Sequence, residues 1–330
     1  MSGLKICIVG TGHWSRAMHL PAFKCMLNEE RIDVVGVCDL QEAQAQEYAK
    51  ELNCENIYTD VNKMLGEKKA EGLVILVPPG VSHQLIETAL EYKIPFMCEK
   101  PPVKESALHK KLALKANGLK HLIAYNRRFS PYIQQARKWM EGVELLSVTA
   151  QFSRFKRMDE EFSSTAVHPI DTTQFLSGEE FEKGKMELIR KGGVANFYIN
   201  GWSKSNIRFD ILITPNTGSA EEKYVLKGTD KSVLISFPQV GMYDTPGFVE
   251  LHENNQVTQH KSAVDFGIDE DDSSGLGGIL NEHKAFVELL KGDSLSSSTL
   301  DNTYATQVIR EDLYKMIMSG HDYCSKEIQI

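Results

Sequence analysis

The stretch KICIVGTGHWS, residues 5–15, decides the fold. An apolar run ends on Gly10, and a segment with helical spacing, roughly Trp14 to Leu27, follows. Gly10, Gly12 and Ser15 stand in the pattern G-x-G-x-x-S. The first glycine permits a tight turn, the second lets backbone approach a pyrophosphate, and a small third residue lets the helix pack on the strand. The N–H groups at the helix start then face the phosphates. Gly10, Gly12, His13, Trp14 and Ser15 are therefore candidates for holding a dinucleotide. A similar turn also serves other ligands in Rossmann-like domains, so the surrounding pattern has to decide.

Working outward, RIDVVGVCD is a second apolar run ending at Asp39. Its carboxylate can accept hydrogen bonds from adenosine ribose hydroxyls. It also repels a 2′-phosphate, and Leu40 and Gln41 add no cation. NAD(H) is thus favoured, without excluding NADP(H). NIYTD, GLVILVPP, IPFMCEKP and HLIAYN continue the series, with helical segments between them. Continuous apolar strands alternating with helices predict a parallel sheet covered on both faces. From Glu144 the strands lengthen and alternate: LLSVTAQFSRF, VANFYINGW, RFDILITP, KYVLKG, SVLISF and FVELHE. These predict a half-exposed, mainly antiparallel sheet. Two helices, Leu280–Leu290 and Asn302–Met318, close the chain. The expected class is α/β: an N-terminal Rossmann dinucleotide-binding domain over residues 1–123, then an α+β domain with an open sheet over 124–330.

Composition narrows the function. The net charge of −8 over 330 residues argues against a nucleic-acid partner. No apolar run reaches the roughly 18 residues a membrane span needs, and the N-terminus lacks signal-peptide features. The six cysteines are scattered without a C-x-x-C pair, which suits reduced thiols in the cytoplasm. No His, Cys and acid spacing suggests zinc, so no metal is expected. The turn lacks the G-K-[ST] of a P-loop.

Parallel open sheets bind ligands beyond the carboxyl ends of their strands. Pro78, Pro79 and His83 follow the fourth strand, Glu99, Lys100 and Pro101 the fifth, and Tyr125, Asn126 and Arg128 the sixth. His83 either touches the cofactor or caps its turn. Lys100 either closes a strand beside Glu99 or serves a reacting oxygen. Pro101 biases it away from helical geometry.

In order along the chain, the glycine turn with His19 and Pro21, Tyr58–Asp60, Pro78–Pro79 with His83, Glu99–Lys100–Pro101, Asn126–Arg128–Phe129, His168–Pro169–Ile170–Asp171 and the Glu282–His283–Phe286 region make a recognisable set. With them the sequence resembles the Gfo/Idh/MocA oxidoreductases, the family of glucose–fructose oxidoreductase and inositol 2-dehydrogenase. The resemblance implies NAD(P)-linked oxidation or reduction of a sugar, sugar derivative or cyclitol-like substrate. It implies a homodimer or homotetramer formed through the C-terminal sheet. It places Lys100 at the nicotinamide and the reacting oxygen. It gives Pro78, Pro79, His83, Glu99, Asn126 and Arg128 to the cofactor site.

A cation beside the oxygen stabilises developing alkoxide charge, and a lysine shifted by burial can exchange the proton itself. His168, the second catalytic candidate, is a natural proton carrier near neutral pH. Pro169 suits a first helical turn, so HPIDTTQFL reads as a helix start. Asp171 either orients His168 for substrate or serves the helix dipole. Family dehydrogenases often carry an aspartate four residues before the histidine, and here that position is Ser164. Serine cannot act as a carboxylate base, so Ser164, Tyr125 and Arg154 become candidates for contacting substrate. A non-catalytic dinucleotide-binding regulator, or a reductase of a non-sugar C=O or C=N bond, is the alternative.

Overall fold

The computed structural model describes residues 3–159, 161–238, 243–292 and 296–330. The chain forms two compact units, Met1–Asn126 with Gly278–Tyr304 and Arg127–Gly277 with Ala305–Ile330.

In the first unit, β1 (Leu4–Val9), β2 (Ile32–Cys38), β3 (Ile57–Tyr58), β4 (Gly72–Ile75), β5 (Phe96–Glu99) and β6 (His121–Ala124) form one sheet in the order β3-β2-β1-β4-β5-β6. Every pairing is parallel. The helices between them are α1 (Leu20–Asn28), α2 (Glu42–Glu51), α3 (Val61–Glu67), α4 (Ser82–Tyr92) and α5 (Ser106–Ala116). Successive residues of β1, such as Cys7 and Ile8, are both fully buried. That requires cover on both faces and explains the uninterrupted apolar strands. The strand order reverses about β1, so both β1 and β4 open onto the switch point where such sheets bind ligands.

The expected helix from Trp14 to Leu27 divides. Ser15–His19 is a widened π-helical turn, and α1 begins at Leu20. Pro21 stands at the start of α1. It has no N–H to continue a regular ladder, so a new helix begins where that donor is dispensable.

The second unit contains α6 (Pro131–Trp139), β7 (Leu145–Phe155), α7 (Ser163–Ser177), β8 (Lys183–Lys191), β9 (Val194–Trp202), β10 (Arg208–Thr217), β11 (Glu221–Gly228), β12 (Lys231–Ser236), β13 (Phe248–Glu253), β14 (Gln256–Lys261) and α8 (Ser273–Leu276). The chain then supplies α9 (Ile279–Lys291) to the first unit. It finishes in the second with most of α10 (Tyr304–Met318) and with β15 (Tyr323–Gln329). The nine-stranded sheet runs β14-β13-β12-β11-β7-β10-β9-β8-β15. It is antiparallel except for β7 with β10. Along β7, buried Val148, Ala150 and Phe152 alternate with more exposed Thr149 and Gln151, the period-two signature of a sheet with one covered face. The covered face joins Tyr132, Ile133 and Ile170 in one core. Each such side chain, fully buried, contributes roughly 1.5–3 kcal/mol.

The helix expected to start at His168 starts at Ser163 instead. Glu161 Oε1 accepts the N–H of Ser163 at 2.6 Å, which satisfies one of the donors a helix start leaves over. Pro169 therefore lies inside α7, where the packing of a fully buried stretch offsets its missing hydrogen bond.

Candidate functional site

In the first unit the strands are parallel, so β1, β2, β4, β5 and β6 all deliver their carboxyl ends to one edge. Gly10 has φ +95°, and a Cβ on it would lie 2.3 Å from the carbonyl oxygen of Leu76. Only glycine fits there. A Cβ on Gly12 would meet no protein atom within 4 Å. The space over the turn is open, as an approaching pyrophosphate requires. Asp39, just beyond β2, is tied to the same turn. Its Oδ2 accepts from Thr11 N at 2.8 Å and Thr11 Oγ1 at 2.9 Å, and its Oδ1 from Gln41 N at 2.9 Å. A carboxylate offers about four lone-pair sites, so capacity remains for a ribose hydroxyl. These residues fit a dinucleotide.

The other expected cofactor residues divide by exposure. His13 and Trp14 are exposed beside the turn. Ser15 is buried and donates to Tyr48 Oη of α2 at 2.8 Å, so its small side chain joins helix to turn. Pro78 is exposed, Pro79 and His83 are half-buried, and Tyr125 and Asn126 are buried beyond β6.

Lys100 follows β5 directly, and its peptide bond to Pro101 is cis. Its backbone N–H donates to Glu99 Oε2 at 3.1 Å. Glu99 Oε1 accepts from Trp14 Nε1 at 3.2 Å and lies 2.8 Å from His19 Nε2. Burial opposes ionisation of Glu99. The hydrogen bond and charge of His19, with the charge of Lys100, outweigh it, and the carboxyl sits below its usual range. On its other side His19 Nδ1 is 2.8 Å from Nε2 of His283 on α9. Burial, then the charge of His19, hold His283 well below the usual imidazole range. Ligand atoms of His19, Glu282 and His283 converge within 4.8 Å, but the facing nitrogens of the two imidazoles are engaged with one another. Sequence spacing carries no signal for this cluster, because its two histidines are 264 positions apart.

In the second unit α7 carries Ser164, His168 and Asp171. His168 and Ser164 are one turn apart on one helical face. Glu161, which sequence reading passed over, supplies a carboxylate there: its Oε2 accepts from Ser164 Oγ at 3.1 Å. Asp171 and Arg128, expected at substrate and cofactor respectively, hold each other. Arg128 Nε and Nη2 donate to Asp171 Oδ2 and Oδ1 at 2.8 and 2.6 Å, and Thr306 Oγ1 donates to Oδ1 at 3.3 Å. Both side chains are buried. Arg154, expected at substrate, donates from Nη2 to Glu222 Oε2 at 3.0 Å. Arg127 grips the same carboxylate with Nε at 2.7 Å and Nη2 at 2.9 Å, and Tyr224 Oη donates to Oε1 at 2.7 Å. Burial works against the Glu222 charge, but Arg127 and Arg154 overcome it and bring the carboxyl down to about 2. Arg154, with one bond rather than two, is pushed down to about 10 by burial and by the like charge of Arg127, despite Glu222.

A glycine turn, an acid closing the second strand and a parallel sheet together define a dinucleotide-binding Rossmann domain. Residues 4–126 match the family model of the Gfo/Idh/MocA oxidoreductases, described as NAD-binding Rossmann fold. Among curated proteins the chain is 23% identical to an uncharacterized oxidoreductase, YrbE, of Bacillus subtilis, over 71% of this chain and 70% of that one. It is 28% identical to D-glucoside 3-dehydrogenase of Escherichia coli, over 42% of this chain and 39% of the enzyme. The fold of the whole chain is shared with levoglucosan dehydrogenase, solved with NADH and levoglucosan. The TM-score is 0.78, at 16% identity and 98% of both chains. Among the described residues no helix is long and apolar enough to cross a membrane, and all six cysteines are free thiols.

Proposed function

We propose that the protein is an NAD(H)-dependent oxidoreductase acting on a sugar, sugar derivative or cyclitol-like alcohol or ketone. One observation carries this reading: the glycine turn, Asp39 and Lys100 stand at the carboxyl ends of β1, β2 and β5, along one edge of one sheet. The names of the relatives, a glucoside and a levoglucosan dehydrogenase, support the substrate class. When bound, the nicotinamide supplies the carbon that gives or takes hydride. Gly10, Gly12 and the backbone of the turn hold the pyrophosphate, and Asp39 the ribose. Lys100 stabilises negative charge as it develops on the substrate oxygen. His168 takes the hydroxyl proton in oxidation and returns it in reduction. Arg128 with Asp171, and Arg154 with Glu222, hold the helix and sheet that present His168. The chain works in the cytoplasm as a homodimer or homotetramer. The outer face of β7, β9 and β10, where Gln151, Tyr198 and Trp202 stand exposed or half-exposed, is the surface through which it assembles.

The test is a screen of sugars, cyclitols and ketones, followed by the absorbance of reduced nicotinamide. Turnover with a polyol or its ketone is expected, and a protein that binds neither NADH nor NADPH ends the proposal. Fluorescence titration should show NADH binding at least about tenfold tighter than NADPH, a difference of roughly 1.4 kcal/mol. Equal affinities would remove the selective role of Asp39.

Glu161 with Ser164 supplies the acid face that the serine alone lacks. Glu161→Gln keeps an oxygen for the Ser163 N–H but loses the charge. It should lower kcat by about 10²-fold with an unchanged melting temperature and unchanged NADH affinity. An unaltered kcat would reduce Glu161 to a helix cap.

A further inference from the structure

We propose that the buried chain His283–His19–Glu99 is a positioning device for Lys100, fixing the carboxylate that holds the lysine's backbone N–H at the end of β5. The inference rests on the functional reading above and adds to it two residues that touch neither cofactor nor substrate.

The hydrogen bonds form one continuous chain. Both Glu99 oxygens accept, Oε1 from Trp14 with His19 beside it at 2.8 Å and Oε2 from the Lys100 N–H. The carboxylate form has no proton to give, so His19 Nε2 carries the hydrogen. On the other side of the ring, His19 Nδ1 lies 2.8 Å from His283 Nε2, and one of the two nitrogens donates to the other.

Packing also fixes the rings. His19 and His283 are fully buried, or within 1% of it. Their rings meet edge to face at 83°, with centroids 5.1 Å apart. Phe23 of α1 closes on His283 at 4.6 Å and 62°. His19 ends the widened turn that begins at Ser15. The chain therefore joins three pieces of the first unit: the turn that follows the glycines, the strand end before Lys100, and α9. A carboxylate held by a fixed imidazole, itself held by a second, keeps one orientation, as outer-shell partners do for the groups they support.

Two substitutions at His283 separate positioning from mere packing. Glutamine can place an amide group, with both a donor and an acceptor, where His283 Nε2 stands, and leucine cannot. His283→Leu should lower kcat about 10²-fold with the KM for NADH unchanged. His283→Gln should restore kcat to within about threefold of wild type, with both variants melting together. Wild-type kcat in His283→Leu, or equal losses in both variants, overturns the proposal. A second measurement needs no substrate. Imidazole nitrogen NMR of the cofactor-free protein should show His19 protonated at Nε2 and a hydrogen bond between His19 Nδ1 and His283 Nε2. A His19 without a proton at Nε2, or one equivalent of tightly bound transition metal in the purified protein, overturns the chain. These imidazole signals without any dinucleotide-linked turnover would defeat the functional reading and leave the chain standing.

Discussion

Lys100→Met is expected to cut dinucleotide-linked turnover by about 10²–10³-fold while leaving NADH affinity within about twofold. Methionine keeps the length and apolar stem of lysine but carries no charge. Losing one preorganised donor to a developing oxyanion costs about 10²–10³ in rate, and His168, the proposed proton carrier, is untouched. The proposed reading spares affinity, because it gives the pyrophosphate and ribose to the turn and Asp39 and not to the lysine ammonium. Glu99 keeps its link to the backbone, since the bond it accepts from residue 100 comes from the main-chain N–H. Pre-steady-state rates and fluorescence titration read the two quantities separately. Near-normal turnover in the variant would show that the lysine closes a strand and does nothing more.

Glu222→Leu should be the most destabilising single change in the second unit. Arg127, Arg154 and Tyr224 all donate to this carboxylate, which has no exposed surface. Removing it leaves two buried guanidinium groups facing each other. Breaking a buried pair in this way costs about 3–5 kcal/mol. In a unit of this size that corresponds to a melting temperature lower by roughly 10 °C.

The same residue sets an acid limit. Its carboxyl is held at about 2 in the folded chain, below the ordinary value of about 4.3. A depressed carboxyl stabilises the fold above its unfolded value, and that contribution fades as pH falls from about 4.3 to about 2. Wild type should thus lose roughly 3 kcal/mol over that interval. Glu222→Leu should lack this part of the loss. Thermal unfolding at pH 7 and pH 3 checks both. An unchanged melting temperature at pH 7 would mean that the arginines find other partners.

What sequence reading recovers is what the chain encodes locally. The first sheet is legible because strands such as β1 and β4 carry consecutive buried apolar residues, from Ile6 to Val9 and from Leu73 to Ile75. Gly10, Asp39 and Lys100 are legible because a residue directly after a parallel strand is placed by that strand alone. Three strands of the second sheet, β8, β14 and β15, escape notice, the two outermost for the opposite reason. β14 and β15 are its two edges, and β8 lies next to one of them. QVTQHK in β14 has no buried residue at all, so no apolar alternation marks it, as is common for protected edges.

His168 shows a different limit. Pro169 is a sound signal for a first turn, and it was outweighed by the earlier start that Glu161 supports. The partnerships of Arg128 with Asp171, Arg127 and Arg154 with Glu222, and His19 with His283 are made between distant segments. Nothing in the local pattern of either partner names the other.

The order in which the chain is made bears on its first unit. α9 belongs to that unit but lies beyond residue 277. At about 5–20 residues per second, β1 to β6 leave the ribosome well before the helix that brings Phe286, Val287 and His283 to them. During that interval the sheet must wait with an uncovered apolar surface and with His19 lacking its second imidazole. Cutting the chain after Asn126 would make that waiting state permanent, so the nucleotide-binding half is not a portable module despite its contiguous signature.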